Sequence, residues 1–347
     1  MPIFRTGIVV EIASARRGLQ RINVQIDAAV ESAYVLTDLV GDVHVGDEVI
    51  CNTSAVALGL GTGGSHVVHW NLSRTELNTH DDGHIVKMRY TSLQKAFETA
   101  EERDVASELS ARPLESLVVV VCTVHSQFGI VATVARHLRR DWRISYVMTD
   151  GAALPLAVSD LVATLCAQKI VNQTLTTGHA FGGDEEAVTL ASGLIAAQRG
   201  GADLAIVCMG PGVVGTGSTY GTTAIEAASI LDTVDALGGT AILCPRASAA
   251  DGRDRHHGLS HHTATVLTLA HTRPHMIEVS GADPELLAQS VQHGVPQVDT
   301  RAALLTAGVT ITTMGRTIEQ DPLFFDACGR TAALAVELSE AITSTPG

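Results

Sequence analysis

At 347 residues with 46% hydrophobic side chains and a mean hydropathy of +0.23, the chain can hold two domains and is too apolar to be disordered. A formal net charge of −14 argues against a nucleic-acid backbone or an anionic membrane as the main partner, and 3% aromatic content argues against base-stacking platforms. No apolar run reaches 18 residues, so no membrane-spanning helix is expected, and Gly7 and Glu11 interrupt any leader-like core; the expected location is the cytoplasm.

Residues 1–72 read as a β-rich domain. GIVVEIASA (7–15) and LQRINVQID (19–27) alternate apolar and polar residues around Arg16, Arg17 and Gly18, the pattern of a hairpin. VGDEVICNT (45–53) is a third strand, and the glycine-rich LGLGTGGSHVVHWNL (58–72) leads into another. Short strands with glycine corners predict a small barrel or sandwich. Residues 73–116 form a connecting segment: a polar loop at 78–84, a strand at 84–91 and a charged helix at 92–109, broken at Ala111, Arg112 and Pro113.

From residue 117 the pattern becomes strand, loop, helix, repeated to residue 347. Strands are predicted at 117–124, 143–149, 169–177, 202–210, 240–245 and 276–280, and helices at 130–140, 154–168, 185–199, 223–237 and 262–271. Unbroken Val/Ile/Leu runs suit parallel strands covered on both faces. The C-terminal part is therefore expected to be α/β, a doubly wound, mostly parallel Rossmann-like sheet. Gly200-Gly201 and Gly238-Gly239 stand where helices end. Asp283-Pro284 and Asp321-Pro322 mark the starts of two later helices.

Ligands of such sheets bind beyond the carboxyl ends of the strands, so the strand-to-helix loops carry the candidates. The loop after 240–245 holds His256, His257, His261 and His262, four of the chain's 15 histidines within seven residues. Ser260 reads as a helix cap with His261 and His262 in the first turn, where the helix dipole favours neutral rings. His257, His261 and His262 are candidate ligands of a divalent metal, with His257 and His261 also candidate acid/base groups; a solvated polar loop is the plainer reading. No known zinc spacing is matched. His125 and Asp150 directly follow strands and are candidate catalytic groups, as is Asp184, although Asp184, Glu185 and Glu186 also suit a helix start.

The loop GPGVVGTGSTYG (210–221) contains GxGxxG as Gly210, Gly212 and Gly215, but Pro211 and the late helix weaken a dinucleotide reading. Its amides, with Thr216, Gly217 and Ser218, are candidates for holding a phosphate or carboxylate; a structural turn remains the alternative. Thr223 and Glu226 read as a capping box. Ser126 lacks a GxSxG elbow. The six scattered cysteines form no CxxC pair and read as buried reduced thiols.

The segments GHIVKMRYTSLQ (83–94), YVMTDGAALP (146–155), GHAFGGDEEAV (178–188), GPGVVGTGS (210–218), RHHGLSHHT (255–263) and TMGRTIEQDPLFF (313–325) together resemble an uncharacterised bacterial family catalogued as domain of unknown function 3866. The resemblance spans nearly the whole chain and implies no activity, cofactor or substrate. From the residues themselves, the expectation is an enzyme, a hydrolase or group transferase, acting on a small anionic metabolite at the strand ends. The alternative is a non-enzymatic metabolite sensor or scaffold. The composition is also compatible with a homodimer.

Overall fold

The computed structural model describes residues 2–60, 63–79, 83–103 and 113–344. The chain divides into two units, Met1–Glu98 and Thr99–Gly347.

In the first unit β1 (Phe4–Arg16), β2 (Leu19–Ile26), β3 (Ala29–Leu36), β4 (Glu48–Asn52) and β5 (His66–Asn71) close into a barrel in the order β1-β2-β3-β5-β4. Single helical turns α1 (Thr37–Val40) and α2 (Ser54–Ala57) lie in its connections. The alternation of β2 sends Ile22, Val24 and Ile26 inward against Val9, Val35, Val49, Cys51 and Val68, all buried. Gly7 lies where β1 passes between its two partners. A Cβ there would stand 2.5 Å from Val24 Cγ1 and 2.7 Å from the Gln25 carbonyl oxygen, so glycine is required by close approach. Sequence reading missed β3, because it buries only Ala33 and Val35 and shows no alternating run.

The helix expected at 92–109 is not formed as such. Lys95–Phe97 is a strand, β7, paired antiparallel with β6 (Ile85–Lys87), and the hairpin turn takes Met88 and Tyr90 to positive φ. The ladder to β6 overrides the helical composition of this stretch. Only α3 (Ala100–Arg103) is helical, and the remainder of the expected helix lies outside the described residues.

The second unit is built on an all-parallel sheet of eight strands: β8 (Val118–Val121), β9 (Ile144–Thr149), β10 (Gln173–Thr177), β11 (Glu185–Ala187), β12 (Leu204–Met209), β13 (Thr240–Leu243), β16 (His275–Ile277) and β17 (Val291–His293). Between β13 and β16 the short β14 (Ala247–Ser248) and β15 (Gly258–Leu259) pair antiparallel. Across the main sheet the order is β11-β10-β9-β12-β8-β13-β16-β17. The helices are α4 (His125–Leu138), α5 (Asp160–Ala167), α6 (Leu190–Arg199), α7 (Glu226–Ala236), α8 (His261–Leu269), α9 (Pro284–Leu287), α10 (Thr300–Ala307) and α11 (Pro322–Ser344).

One face of the sheet packs on α4, α5, α10 and α11, the other on α6, α7 and α8. Both faces of β8, β9 and β12 are therefore buried at every residue, as the unbroken apolar runs require. The doubly wound, parallel expectation is borne out.

Several boundaries moved for local reasons. Helix α4 starts at His125, because the Gln127 side chain turns back to accept from the amides of Thr123 and Val124. Glu185 and Glu186, expected to open a helix, lie in the edge strand β11; Glu186 accepts from Thr176 Oγ1 at 2.6 Å, and the helix waits for the Thr189 cap. Thr222 caps the 3₁₀ turn that precedes α7, and Glu226 is used elsewhere. Gly201 and Gly238 do take positive φ just beyond their helices.

Candidate functional site

Strand β8 feeds α4 on one face of the sheet, whereas its neighbours β12 and β13 feed α7 and α8 on the other. Adjacent connections that leave for opposite faces open a crevice at the carboxyl ends. A cleft of about 410 Å³ lies there, lined by residues 124–126 after β8, 211–213 after β12, Arg246 after β13, Leu161, and the segment 310–314.

The histidine loop is an excursion closed by the β14–β15 ladder. From Ser248 the chain runs out through Asp251, makes a 3₁₀ turn at Asp254–His256, and returns through Gly258 to the Ser260 cap of α8. This path brings His256, not His257, onto His261 and His262. His256 ends the 3₁₀ turn facing inward and is 2% exposed, while His257, next in an extended conformation, points to solvent. Of the candidate ligands, His261 and His262 are brought together and His257 is not; His256 stands with them instead.

The three rings pack with centroids 4.8 Å (His256–His261), 4.9 Å (His256–His262) and 4.5 Å (His261–His262) apart. One nitrogen from each lies within 4.8 Å of the others. Ser260 Oγ pairs with His256 Nδ1 at 2.7 Å and accepts from the His262 amide. Arg246 Nη1 donates to His262 Nδ1 at 3.2 Å. Nε2 of His261 is buried without a partner among the described residues. Burial, reinforced by the guanidiniums of Arg246 and Arg253, pushes His256 down to about 4. Burial and Arg246 push His262 down to about 3, and burial with Arg255 lowers His261. All three rings are neutral at pH 7, the form that ligates metals or takes a proton.

Charge around the rings is organised by Asp251. Arg253 grips it with a fork, Nε to Oδ1 at 2.9 Å and Nη2 to Oδ2 at 2.8 Å, which holds the carboxyl far below its usual range. Arg316 Nη2 and Arg246 Nη2 approach the same Oδ2 at 3.4 and 3.6 Å. Asp321 takes Ser248 Oγ at 2.6 Å and Arg316 Nε at 3.1 Å. Three guanidiniums thus face two carboxylates. Arg246, 4% exposed, meets both the cleft and His262, and burial pushes it down to about 10, still cationic.

The glycine loop lies against His262 and Arg255. Thr216 and Ser218 hydroxyls pair at 3.0 Å, Thr216 bonds the Gly221 carbonyl, and Val214 N is taken by Thr223 Oγ1. A Cβ on Gly215 would meet His262 Nε2 at 3.8 Å, and one on Gly217 (φ +91°) would meet the Arg255 guanidinium at 3.4 Å. Gly210 is a crossing point, where a Cβ would stand 2.7 Å from the Ala153 carbonyl; Gly212 lines the cleft.

His125 also lines the cleft, but both its nitrogens are engaged: Nδ1 with the Met209 carbonyl at 3.2 Å and Nε2 with Ser159 Oγ at 2.8 Å. Burial pushes it down to about 4. Asp150 stands at the end of β9 and accepts from the His179 amide. Strand β9 is three positions from β13, about 14 Å at ordinary strand spacing. Asp184 is not at the rim: the loop after β10 doubles back, and its carboxylate accepts from Thr174 N and Oγ1 near the strand's amino end.

Sequence reading missed Arg246, named His256 only as part of the loop, and took Glu226 for a capping residue. Glu226 Oε1 accepts from Thr149 Oγ1 at 2.6 Å, and burial together with Asp150 pushes it up to about 7. Arg246, a lone cation directly after an apolar strand, was the available signal.

The family model described as protein of unknown function (DUF3866) matches residues 32–332, which take in all eight strands of the parallel sheet and every residue of this site. The chain belongs to that family. No curated protein and no solved structure matches it. In this family member no helix among the described residues is long and apolar enough to cross a membrane.

Proposed function

We propose that the chain is an enzyme, a hydrolase or group transferase, acting on a small anionic metabolite in the cleft at the strand ends. Arg246 carries the reading: a buried guanidinium lining a cleft pairs with an anion more strongly than a solvated one. Its excess charge is not cancelled by Asp251 and Asp321, which are shared with Arg253 and Arg316. The neutral His262 beside it supplies a group for proton transfer. Hydrolysis or transfer suits these groups better than hydride transfer, since Pro211 and the late helix weaken the GxGxxG of the glycine loop as a dinucleotide fingerprint. A cytoplasmic location, a small molecule rather than a nucleic acid as partner, and a homodimer testable by light scattering complete the proposal.

The test is calorimetric titration with inorganic phosphate and a panel of phosphorylated and carboxylate metabolites, with products followed by mass spectrometry. Binding that weakens at least tenfold in Arg246→Gln supports the reading; binding indifferent to the substitution sinks it. A sensor without turnover is the second reading, favoured by the full engagement of both His125 nitrogens. A ligand that binds through Arg246 and is recovered unchanged would select it.

A further inference from the structure

We propose that His256, His261 and His262 form a divalent-metal site of the zinc class, with three imidazole ligands and a coordination position left for solvent or substrate. The site stands on its own geometry and does not depend on the anion reading of the cleft.

Three buried or half-buried imidazoles in mutual contact are costly unless something satisfies the nitrogens that converge. Here His261 Nε2 is buried with no partner among the described residues, and one nitrogen from each of the three rings lies within 4.8 Å of the others. An ion fills that requirement with three bonds. Tetrahedral zinc places its nitrogen ligands about 3.4 Å apart. The nitrogens, within 4.8 Å of one another, must draw in toward that spacing when an ion binds. The donor set is all nitrogen, which selects zinc, cobalt or nickel over magnesium and calcium.

Of the nitrogens turned away from the centre, His256 Nδ1 is held as a metal site requires. Ser260 Oγ meets His256 Nδ1, leaving Nε2 for the ion. Arg246 is the informative exception. A guanidinium only donates, so His262 Nδ1 must accept and the neutral ring keeps its proton on Nε2. Metal entry at Nε2 requires that proton to move to Nδ1, where it faces the Arg246 donor, and this weakens binding. Glutamine at position 246 offers a carbonyl to the opposite tautomer, Nδ1–H, and frees Nε2. Arg246→Gln therefore keeps or tightens the metal while it loses the anion.

The experiment is titration of the metal-stripped full-length chain with Zn²⁺ by calorimetry and with Co²⁺ by visible absorption. One ion per chain with the intense absorption of tetrahedral cobalt is expected. The His256→Ala/His261→Ala variant should bind at least 100-fold more weakly, and His257→Ala should be unchanged, since His257 points to solvent. Absence of a stoichiometric tetrahedral cobalt signal in the unmutated chain overturns the site whatever the variants do. Equal weakening by His257→Ala also overturns it. Loss of phosphate binding in Arg246→Gln with metal binding kept separates the two proposals, because failure of either leaves the other's readout intact.

Discussion

Glu226 sits at the start of α7 with Thr149 Oγ1 on its carboxylate and Asp150 nearby, and its folded pKa of about 7 lies above the ordinary 4.5. Below pH 4.5 the folded and unfolded chains both carry the proton. Between 4.5 and 7 the unfolded chain ionises while the folded one resists, so stability is lost as pH rises through that window. Glu226→Gln keeps the hydrogen bond and removes the penalty. It should stabilise the chain by about 1–3 kcal/mol at pH 8 and by nothing at pH 4, read from urea midpoints. An equal effect at both pH values would show that ionisation is not the cause.

His125 runs the other way. Its folded pKa of about 4 lies below the ordinary 6.5, so from pH 6.5 down to 4 the unfolded chain takes up a proton that the folded chain refuses. Stability falls across that interval. In His125→Asn the slope of unfolding free energy against pH should be shallower by up to one proton. An unchanged slope would mean that the ring is not held neutral by burial.

Among the elements, α4 shows how packing and site are joined. Phe128 and Tyr146 stack with centroids 3.8 Å apart, and the Tyr146 hydroxyl donates to the Cys208 carbonyl at 3.1 Å, beside the end of β12. Phe128 is fully buried, so Phe128→Ala should cost about 3–5 kcal/mol in urea unfolding. A cost below about 1 kcal/mol would mean that the core closes over the gap. The helix periodicity and the strand runs were legible because apolar burial writes itself locally. The edge strands β11 and β17 were not. Each is three residues long, and β11 carries two glutamates whose place is set by the ladder to β10.

For the whole molecule, every residue of the candidate site belongs to Thr99–Gly347. A substitution in the barrel should therefore change stability and leave binding alone. Gly7→Val forces a side chain into Val24 and the Gln25 carbonyl, and should destabilise the first unit by about 1–3 kcal/mol. Phosphate and cobalt titrations of that variant, done below its unfolding midpoint, should match the unmutated chain. A weakened titration would show that the barrel contributes to binding.

Composition, periodicity and glycine placement by themselves determined the two architectures, the parallel character of the sheet and the loop rich in histidine, because each follows from neighbours close in the chain. Which histidine turns inward, which acid sits at the rim and which cation lines the cleft were decided by the tertiary structure alone. His256 is chosen over His257 by the ladder between β14 and β15, Asp184 is withdrawn by a loop that doubles back along β10, and Arg246 acquires its surroundings from segments as distant as 124–126 and 310–314. A side chain's direction and dielectric depend on what packs against it from elsewhere in the chain, and no local pattern records that.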